Sequence, residues 1–319
     1  MTDELTVRNA DITLRVEVTG EGPTILCVPG WPELASSWRH QVAHLARRGY
    51  RVAALDVRGY GGSSAPPEIG ALHAARSRWR RGGRRHRARR GTGHPPRARL
   101  GRPDRVAHGY SPPRPGAGRR RIERAPHATE ERLIDRPVQP PLLRPVLLHA
   151  LFQEPGVAEA AFDADLRGAF KRVYHALSGS AAANSLLVNA PRGAALLPLL
   201  PDPPDGPLTF LPDAELDRIV ASFKRTGMTG SFNRYRALAL DVKASSDIVG
   251  ATVDHPSCFI AGERDPVRAM VPGVDSYAKP GAGCTDFRGA TLIAGAGHWV
   301  QQEAPSAVND ALDAFLRSI

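Results

Sequence analysis

Residues 24–64 read TILCVPGWPELASSWRHQVAHLARRGYRVAALDVRGYGGSS, and this stretch decides the fold. It opens on a short apolar run, passes through a Pro/Gly loop into a segment of helical period, and returns to a second apolar run, RVAAL at 51–55. Short apolar runs bounded by turn residues predict buried strands, and the spacing between these two predicts a helix. The order strand, helix, strand predicts the start of a doubly wound, mostly parallel α/β sheet.

Strand-like and helix-like segments also occur on both sides of this stretch. DITLRVEV at 11–18 alternates as a strand does, while PSCFIAGE at 256–263 and TLIAGAG at 291–297 predict buried strands near the end of the chain. PDAELDRIVASFKRTG at 212–227 and APSAVNDALDAFLRSI at 304–319 have the period of amphipathic helices. Both flanks of the chain are therefore expected to fold.

The length and composition predict one large domain with an insertion. The chain has 319 residues, of which 42% are hydrophobic, enough to bury a sizeable core. We predict an α/β core formed by residues 1–140 and 251–319, with residues 152–250 as a helical insertion.

Residues 71–145 have a different composition. The net charge of the chain is +11, yet this stretch alone holds 21 arginines, no lysine and five acids, so the remaining residues are net acidic. It also contains 11 prolines and few apolar side chains, which is incompatible with interior strands or helices. We predict that residues 71–151 are disordered or misfolded. Nucleic-acid binding is not favoured, since Trp79 and Tyr110 are the only Phe, Trp or Tyr residues in 71–145 and single-strand binders use several aromatic side chains.

The ends and the cysteines indicate the compartment. The opening MTDELTV lacks the basic and apolar regions of a signal peptide, and no apolar run is long enough to cross a bilayer. Cys27, Cys258 and Cys284 are far apart and lack metal-ligand spacing. The sequence predicts a cytoplasmic protein with reduced cysteines, no membrane contact and no metal site.

Two motifs in the first flank resemble those of a known family. VPGWPE at 28–33 and SWRHQ at 37–41 resemble the HGxPE…SWRHQ signature of soluble epoxide hydrolases, which have the α/β-hydrolase fold with a helical cap. The resemblance implies that the backbone N–H of Trp31 forms half of an oxyanion hole. The chain departs from the signature at Pro29, where the family has histidine. A proline there removes a side chain that organises the loop but leaves the Trp31 N–H available.

Two loops near the end of the chain supply a base and a carboxylate. GERDPV at 262–267 and GAGHW at 295–299 resemble the family's loops that present the triad acid and the triad histidine. An imidazole activates water near neutral pH when a carboxylate fixes its tautomer and stabilises its cation. Asp265 is therefore the candidate carboxylate and His298 the candidate base.

The insertion resembles the cap of the same family. FQEPGVAE at 152–159 is close to its (Y)FQEPGVAE motif, and TGSFNRYR at 229–236 is similar to its TGxxNWYR motif. The resemblance implies that Tyr235 donates a proton to the epoxide oxygen as the ring opens. It further implies an epoxide and water as substrates, a vicinal diol as product, and no cofactor.

The mechanism of this family also needs an aspartate nucleophile on a strand-to-helix turn, which reads GHDWGA, and no such string occurs in this chain. Read one base out of frame, Arg97 to Pro103 (RARLGRP) can encode Gly-His-Asp-Trp-Gly-Ala-Pro, which places the expected nucleophile near Arg99. Our hypothesis is that residues from about 71 to about 151 are translated out of frame. Asp104 is a poor substitute nucleophile, because a proline precedes it and no turn glycines frame it.

Three interpretations remain open at this point. The first is an epoxide hydrolase-type enzyme by ancestry. The second is a haloalkane dehalogenase-like hydrolase, which would share the aspartate mechanism, although FQEPG and Tyr235 favour the epoxide hydrolase. The third is an inactive, frame-shifted product, which is what the missing nucleophile predicts for the chain as written.

Overall fold

The computed structural model describes residues 2–9, 11–72, 99–100, 152–181, 195–244, 250–270 and 273–319. The prediction that residues 71–151 are disordered or misfolded falls almost wholly on 73–98 and 101–151, which lie outside the described residues.

The first part of the sheet is an antiparallel hairpin. It consists of β1 (Thr2–Asn9) and β2 (Ile12–Thr19), and β2 also pairs antiparallel with β4 (Arg51–Leu55). Val16 and Val18 of β2 are buried and Glu17 between them is only half-buried. This alternation places one face of β2 on the core, as the sequence pattern predicts.

The predicted strand, helix and strand follow. β3 (Thr24–Cys27) runs parallel to β4, and between them lie a 3₁₀ turn at Ala35–Trp38 and α1 (Arg39–Arg47). The predicted helix is therefore present as α1, with the 3₁₀ turn before it. Leu45 of α1 is completely buried against the sheet, a burial worth about 1.5–3 kcal/mol for a side chain of this size.

A short strand, β5 (Arg99–Leu100), completes this sheet among the described residues. It pairs parallel with Leu26–Cys27 of β3, which gives the order β1-β2-β4-β3-β5. The parallel pairs β4-β3 and β3-β5 agree with a doubly wound α/β sheet, in which successive parallel strands need crossover connections.

The end of the chain adds a second parallel pair. β6 (Ser257–Gly262) pairs with β7 (Phe287–Ile293), and two helices follow, α8 (Val300–Glu303) and α9 (Pro305–Arg317). Among the described residues, these two strands form a sheet separate from the first. The residues next along the chain after β5, 101–151, lie outside the described residues.

One hydrophobic core joins the two sets of strands. α9 covers β6 and β7 and also packs against α1. Among the members of this core are Ile25, Cys27, Trp38, Leu45, Val52, Ile293, Val308 and Leu312. The N-terminal and C-terminal flanks therefore form one α/β unit, although β5 and β6 are far apart in the chain.

The described residues of the insertion form six helices joined by loops, with an isolated β-bridge between Leu208 and Leu211. Its helices are α2 (Val157–Ala164), α3 (Leu166–Ala176), α4 (Leu196–Leu199), α5 (Asp213–Thr226), α6 (Thr229–Arg236) and α7 (Leu238–Ala244). α5 begins directly after Pro212 and ends before Gly227, whose φ is +71°, as the sequence pattern predicts. The boundaries of the insertion at 152 and 250 stay a prediction.

The insertion packs on the loops at one end of the sheet. Phe152, Phe162, Phe170 and other cap side chains form a second core together with Trp31, Tyr60 and Trp299, which come from loops of the α/β unit. No helix among the described ranges is long and apolar enough to cross a bilayer.

Candidate active site

Asp265 lies in the loop that follows β6. Its side chain is only 4% exposed, and its Oδ1 accepts a hydrogen bond of 2.9 Å from Val267 N, which caps the 3₁₀ turn Pro266–Ala269. The carboxylate is thus fixed by its own loop. Its other oxygen, Oδ2, remains available for donors from elsewhere in the fold.

His298 lies in the loop that follows β7 and meets this oxygen. Its Nδ1 is 2.8 Å from Asp265 Oδ2, so the structure brings together the two residues that the sequence singled out. A neutral imidazole that donates from Nδ1 keeps its lone pair on Nε2, the atom that a general base needs. The backbone N–H of His298 donates to Leu177 O at 2.8 Å, just beyond α3.

The environment favours the ionised form of Asp265. Burial raises the pKa of this carboxyl, but the charge that His298 carries when protonated, its hydrogen bond and the hydrogen bonds from Tyr277 and Val267 outweigh burial, so the pKa lies below its usual range. A carboxylate in this state can stabilise the imidazolium that forms when His298 takes a proton.

Glu303 holds the loop that carries His298. Its Oε2 accepts from Gly179 N at 2.7 Å and Gly297 N at 3.0 Å, and its Oε1 accepts from Trp299 N at 2.9 Å. Burial raises the pKa of Glu303, against the opposing effect of these three backbone donors and of His298. One carboxylate therefore fixes the residues on both sides of His298 to the segment just beyond α3.

Three glycines allow these segments to approach. A Cβ on Gly262 would lie 2.2 Å from Gly297 O, and one on Gly297 would lie 2.3 Å from Gly179 N. Both distances are far inside van der Waals contact, so no other residue fits at either position without a backbone shift.

Trp31 lies in the loop after β3, next to the loop that carries His298. The loop turns tightly, since Glu33 N donates to Gly30 O at 3.0 Å, and the Trp31–Pro32 peptide bond is cis. Glu33 Oε1 accepts from Gln301 Nε2 at 2.7 Å and from Gln302 Nε2 at 2.9 Å, which ties the loop to α8, just after His298. Within the part of the chain that the structure describes, the Trp31 backbone N–H has no acceptor.

Tyr235 lies on α6, directly against this loop. Its ring meets the Trp31 indole edge to face, with the centroids 5.8 Å apart, and also packs on Phe152 at 5.0 Å. The two cap segments that the sequence singled out are joined beside it, because Arg236 donates to Phe152 O at 2.7 Å and pairs with Glu159 at 2.7 Å. These contacts position Tyr235 over the Trp31 loop.

The position expected for the nucleophile lies on β5. The register places the main chain of Arg99 beside Leu26, in the strand that leads into the Trp31 loop. No carboxylate is available at position 99 in this sequence. Cys27, which pairs with Leu100, does not replace it, because burial raises the pKa of its thiol to about 12 and the thiolate is the nucleophilic form.

Sequence reasoning missed two residues of the site. Glu303 gave no signal beyond its place just before the helix predicted at 304–319. Tyr277 matches no motif, yet its hydroxyl donates to Asp265 Oδ2 at 2.6 Å. Across the described ranges, no group of three or more His, Cys, Asp or Glu side chains is arranged to hold a metal ion.

The comparisons with known proteins agree with this architecture. Residues 23–81 match the model of the alpha/beta hydrolase fold family. Epoxide hydrolase A of Mycobacterium tuberculosis is 34% identical over 335 residues, which covers 97% of this chain and 95% of that protein. Epoxide hydrolase 1 of Siraitia grosvenorii is 29% identical, with 98% and 97% covered.

Solved structures give the same result. Epoxide hydrolase A from Mycobacterium thermoresistibile superimposes with a TM-score of 0.73 at 31% identity, covering 99% of this chain and 98% of that one. An epoxide hydrolase from an endophytic Streptomyces gives a TM-score of 0.73 at 28% identity, with 99% and 95% covered. With a likeness of this extent in sequence and fold, and a paired aspartate and histidine at the ends of β6 and β7, the chain belongs to the epoxide hydrolase family and is an α/β hydrolase of the epoxide hydrolase type.

Proposed function

We propose that this fold opens epoxides with water to give vicinal diols, that Asp265, His298, Tyr235 and Trp31 serve this reaction, and that the chain as written lacks the nucleophile of its first step. The observation that carries the proposal is the hydrogen bond of 2.8 Å between His298 Nδ1 and the buried Asp265. A paired imidazole and carboxylate at the ends of neighbouring parallel strands is the arrangement needed to activate water.

In the first step an aspartate carboxylate attacks one epoxide carbon. The carbon–oxygen bond breaks, an ester forms, and the epoxide oxygen takes a proton to become a hydroxyl. Tyr235 is the proposed donor, because its place on α6 beside Trp31 puts a phenol between the cap and the loop of the proposed oxyanion hole. A positioned acid contributes about 10²–10⁴-fold to such a step.

In the second step His298 acts as the base. Its Nε2 takes a proton from water, and the resulting hydroxide adds to the ester carbonyl. The Trp31 N–H, which lacks an acceptor within the described residues, would stabilise the oxyanion of the tetrahedral intermediate. When the intermediate collapses, the ester C–O bond breaks and the leaving alkoxide takes the proton from His298 to complete the diol, while Asp265 stabilises the imidazolium until that transfer. The proton left on the regenerated aspartic acid restores the phenol of Tyr235, and the nucleophile is a carboxylate again.

The chain carries an arginine where the nucleophile is expected. A guanidinium is always protonated and has no lone pair to offer, so Arg99 cannot form the ester. The pairing of β5 with β3 supports position 99 as the place where a nucleophile strand would end, next to the Trp31 loop. The proposal therefore includes the hypothesis that residues from about 71 to about 151 are read out of frame.

We also propose that residues 152–250 act as the cap and that the substrates are a small-molecule epoxide and water, with neither nucleic acid nor membrane as a partner. The contact of Trp31 with Phe152, Phe162 and Phe232 supports a cap seated on the site. The arginines that would attract nucleic acid lie in 71–151, so a gel shift with single-stranded DNA should show no binding by a chain in which that segment is restored to frame.

The test begins with resequencing the gene across codons 65–155. Two chains are then compared with styrene oxide as the probe: the chain as written, and the chain encoded when the frame of 71–151 is restored. We expect diol from the restored chain only. In the restored chain, His298→Asn should stop the second step, so the substrate-derived ester accumulates and adds the mass of one styrene oxide to the protein. A restored chain that folds but forms neither diol nor ester would contradict the proposal.

A further inference from the structure

Within the described residues, the carboxylate of Asp265 accepts three hydrogen bonds, and two of them share one oxygen. Oδ1 accepts from Val267 N at 2.9 Å, whereas Oδ2 accepts both from His298 Nδ1 at 2.8 Å and from Tyr277 OH at 2.6 Å. An oxygen of an ionised carboxylate can accept two such donors at once. The tyrosine thus contacts the atom through which Asp265 acts on His298.

Tyr277 is held in place by its own segment. Its side chain is buried, and its ring packs edge to face on Phe259 of β6, with the centroids 4.9 Å apart. Its backbone N–H donates to Asp275 Oδ1 at 2.9 Å, and Asp275 in turn pairs with Arg268 at 2.7 Å. The hydroxyl is therefore delivered to Asp265 by a folded segment rather than by a mobile surface side chain.

The second donor has two physical consequences. It fixes the rotation of the carboxylate, because donors on both oxygens and from different elements must be satisfied together. It also draws negative charge toward the phenol, since a hydrogen bond to the charged form of an acid stabilises that form. Both effects act on the hydrogen bond from His298.

We propose that Tyr277 is a positioning residue of the Asp265–His298 pair. Its hydroxyl holds the Asp265 carboxylate in hydrogen-bonding position to the imidazole and shares the negative charge of that carboxylate. This inference rests on the proposed function, in which that pair activates water. Tyr277 does not touch the reacting atoms and acts only through Asp265.

The test uses Tyr277→Phe, which removes the hydroxyl and keeps the ring on Phe259. The carboxyl of Asp265 is followed by ¹³C NMR as the pH is lowered. We expect the pKa of Asp265 to rise in the variant, because one of the hydrogen bonds that favour its ionised form is lost. We also expect the Nδ1–H resonance of His298 to move downfield, since the accepting oxygen regains the charge that it shared.

A matched control is Tyr50→Phe, because Tyr50 is half-buried at the edge of the core shared by α1 and β4 and makes no contact with Asp265. It should leave both signals unchanged. If Tyr277→Phe also leaves both signals unchanged, Tyr277 only fills space and the inference is overturned.

A second measurement needs no substitution and covers the case in which the variant does not fold. In the chain as written, without substitution and with ¹³Cζ-labelled tyrosine, the Tyr277 signal should shift in the same pH range in which Asp265 takes up its proton. A signal that stays constant through that range would also overturn the inference. Failure of the restored chain to form diol, with these couplings intact, would refute the proposed function and leave the contact of Tyr277 with Asp265 standing.

Discussion

Removing the Glu303 carboxylate should loosen the loop that carries His298 more than any change to an exposed acid in the same region. Glu303 accepts from Gly179 N, Gly297 N and Trp299 N at 2.7–3.0 Å. All three donors belong to buried residues. In Glu303→Ala they lose their acceptor together, and the space left is that of a half-buried side chain which water can partly enter.

The magnitude follows from the number of donors. A buried donor left without a partner costs about 1–3 kcal/mol, and partial access of water places each loss near the lower limit. We therefore expect Glu303→Ala to lower the free energy of unfolding by about 3 kcal/mol. Glu303→Gln keeps one oxygen, which can serve Gly179 and Gly297, but turns an amide N–H toward Trp299 N. It should cost about 1 kcal/mol, the value of one lost hydrogen bond.

The assay is urea unfolding at pH 8, where the carboxylate is ionised. The matched control is Glu263→Ala. Glu263 is exposed, and its Oε2 accepts one long hydrogen bond of 3.4 Å from Gly295 N in the same loop. Its loss should change the free energy of unfolding by no more than about 0.5 kcal/mol. If Glu303→Ala unfolds at the same urea midpoint as Glu263→Ala, the three hydrogen bonds do not hold the loop, and the reasoning fails.

Three further predictions concern the same site. Burial raises the pKa of Asp265, but the charge and hydrogen bonds of its partners hold this pKa below the unfolded value of about 3.9. The ionised carboxylate therefore stabilises the fold above that pH, and this stabilisation is lost as the pH falls through the folded-state pKa. Asp265→Asn should accordingly lose less stability than the unsubstituted chain when both are unfolded in urea between pH 6 and about pH 2. Gly297→Ala should lower stability by about 1–3 kcal/mol, because the new Cβ would meet the backbone of Gly179, whereas Gly70→Ala, in open space, should be neutral when both are unfolded in urea. In the frame-restored chain, Tyr235→Phe should slow ester formation by about 10²–10⁴-fold in single-turnover mass spectrometry, and an unchanged rate would remove Tyr235 as the acid.

Much of the fold was predictable because its strands and helices are specified locally. The apolar runs at 24–27 and 51–55 form β3 and β4, and the glycine after α5 ends that helix where the pattern predicts. Asp265 and His298 were singled out from the sequence because their loops resemble those of the family and each follows a predicted core strand, and the structure places the two side chains 2.8 Å apart. Parallel strands bring their carboxyl ends to one edge, so two such loops meet without any contact being visible in the sequence.

Other features depend on contacts between distant segments and left no local signal. Tyr277 reaches Asp265 only because its segment folds back onto Phe259, and Glu303 acts on Gly179, which is 124 residues away. The helix predicted between β3 and β4 is confirmed as α1, but the sequence did not show that a 3₁₀ turn, Ala35–Trp38, precedes it. Asp56, buried in the neighbouring loop, accepts from Ala35 N at 2.8 Å at the start of that turn, a contact across 21 residues that no periodicity reveals.

The two halves of the proposed site depend on different parts of the chain. Asp265 and His298 are presented by β6 and β7 and are held by Glu303 and the segment just beyond α3, all of which lie outside 71–151. The nucleophile of the first step would instead come from the end of β5, within that stretch. A reading-frame error confined to 71–151 therefore removes the group that forms the ester and leaves the geometry that would hydrolyse it. For this reason the hydrogen-bonded pair is compatible with an arginine at position 99. The two residues of the pair lie outside 71–151, whereas in the proposed mechanism turnover would need a nucleophile from inside that stretch.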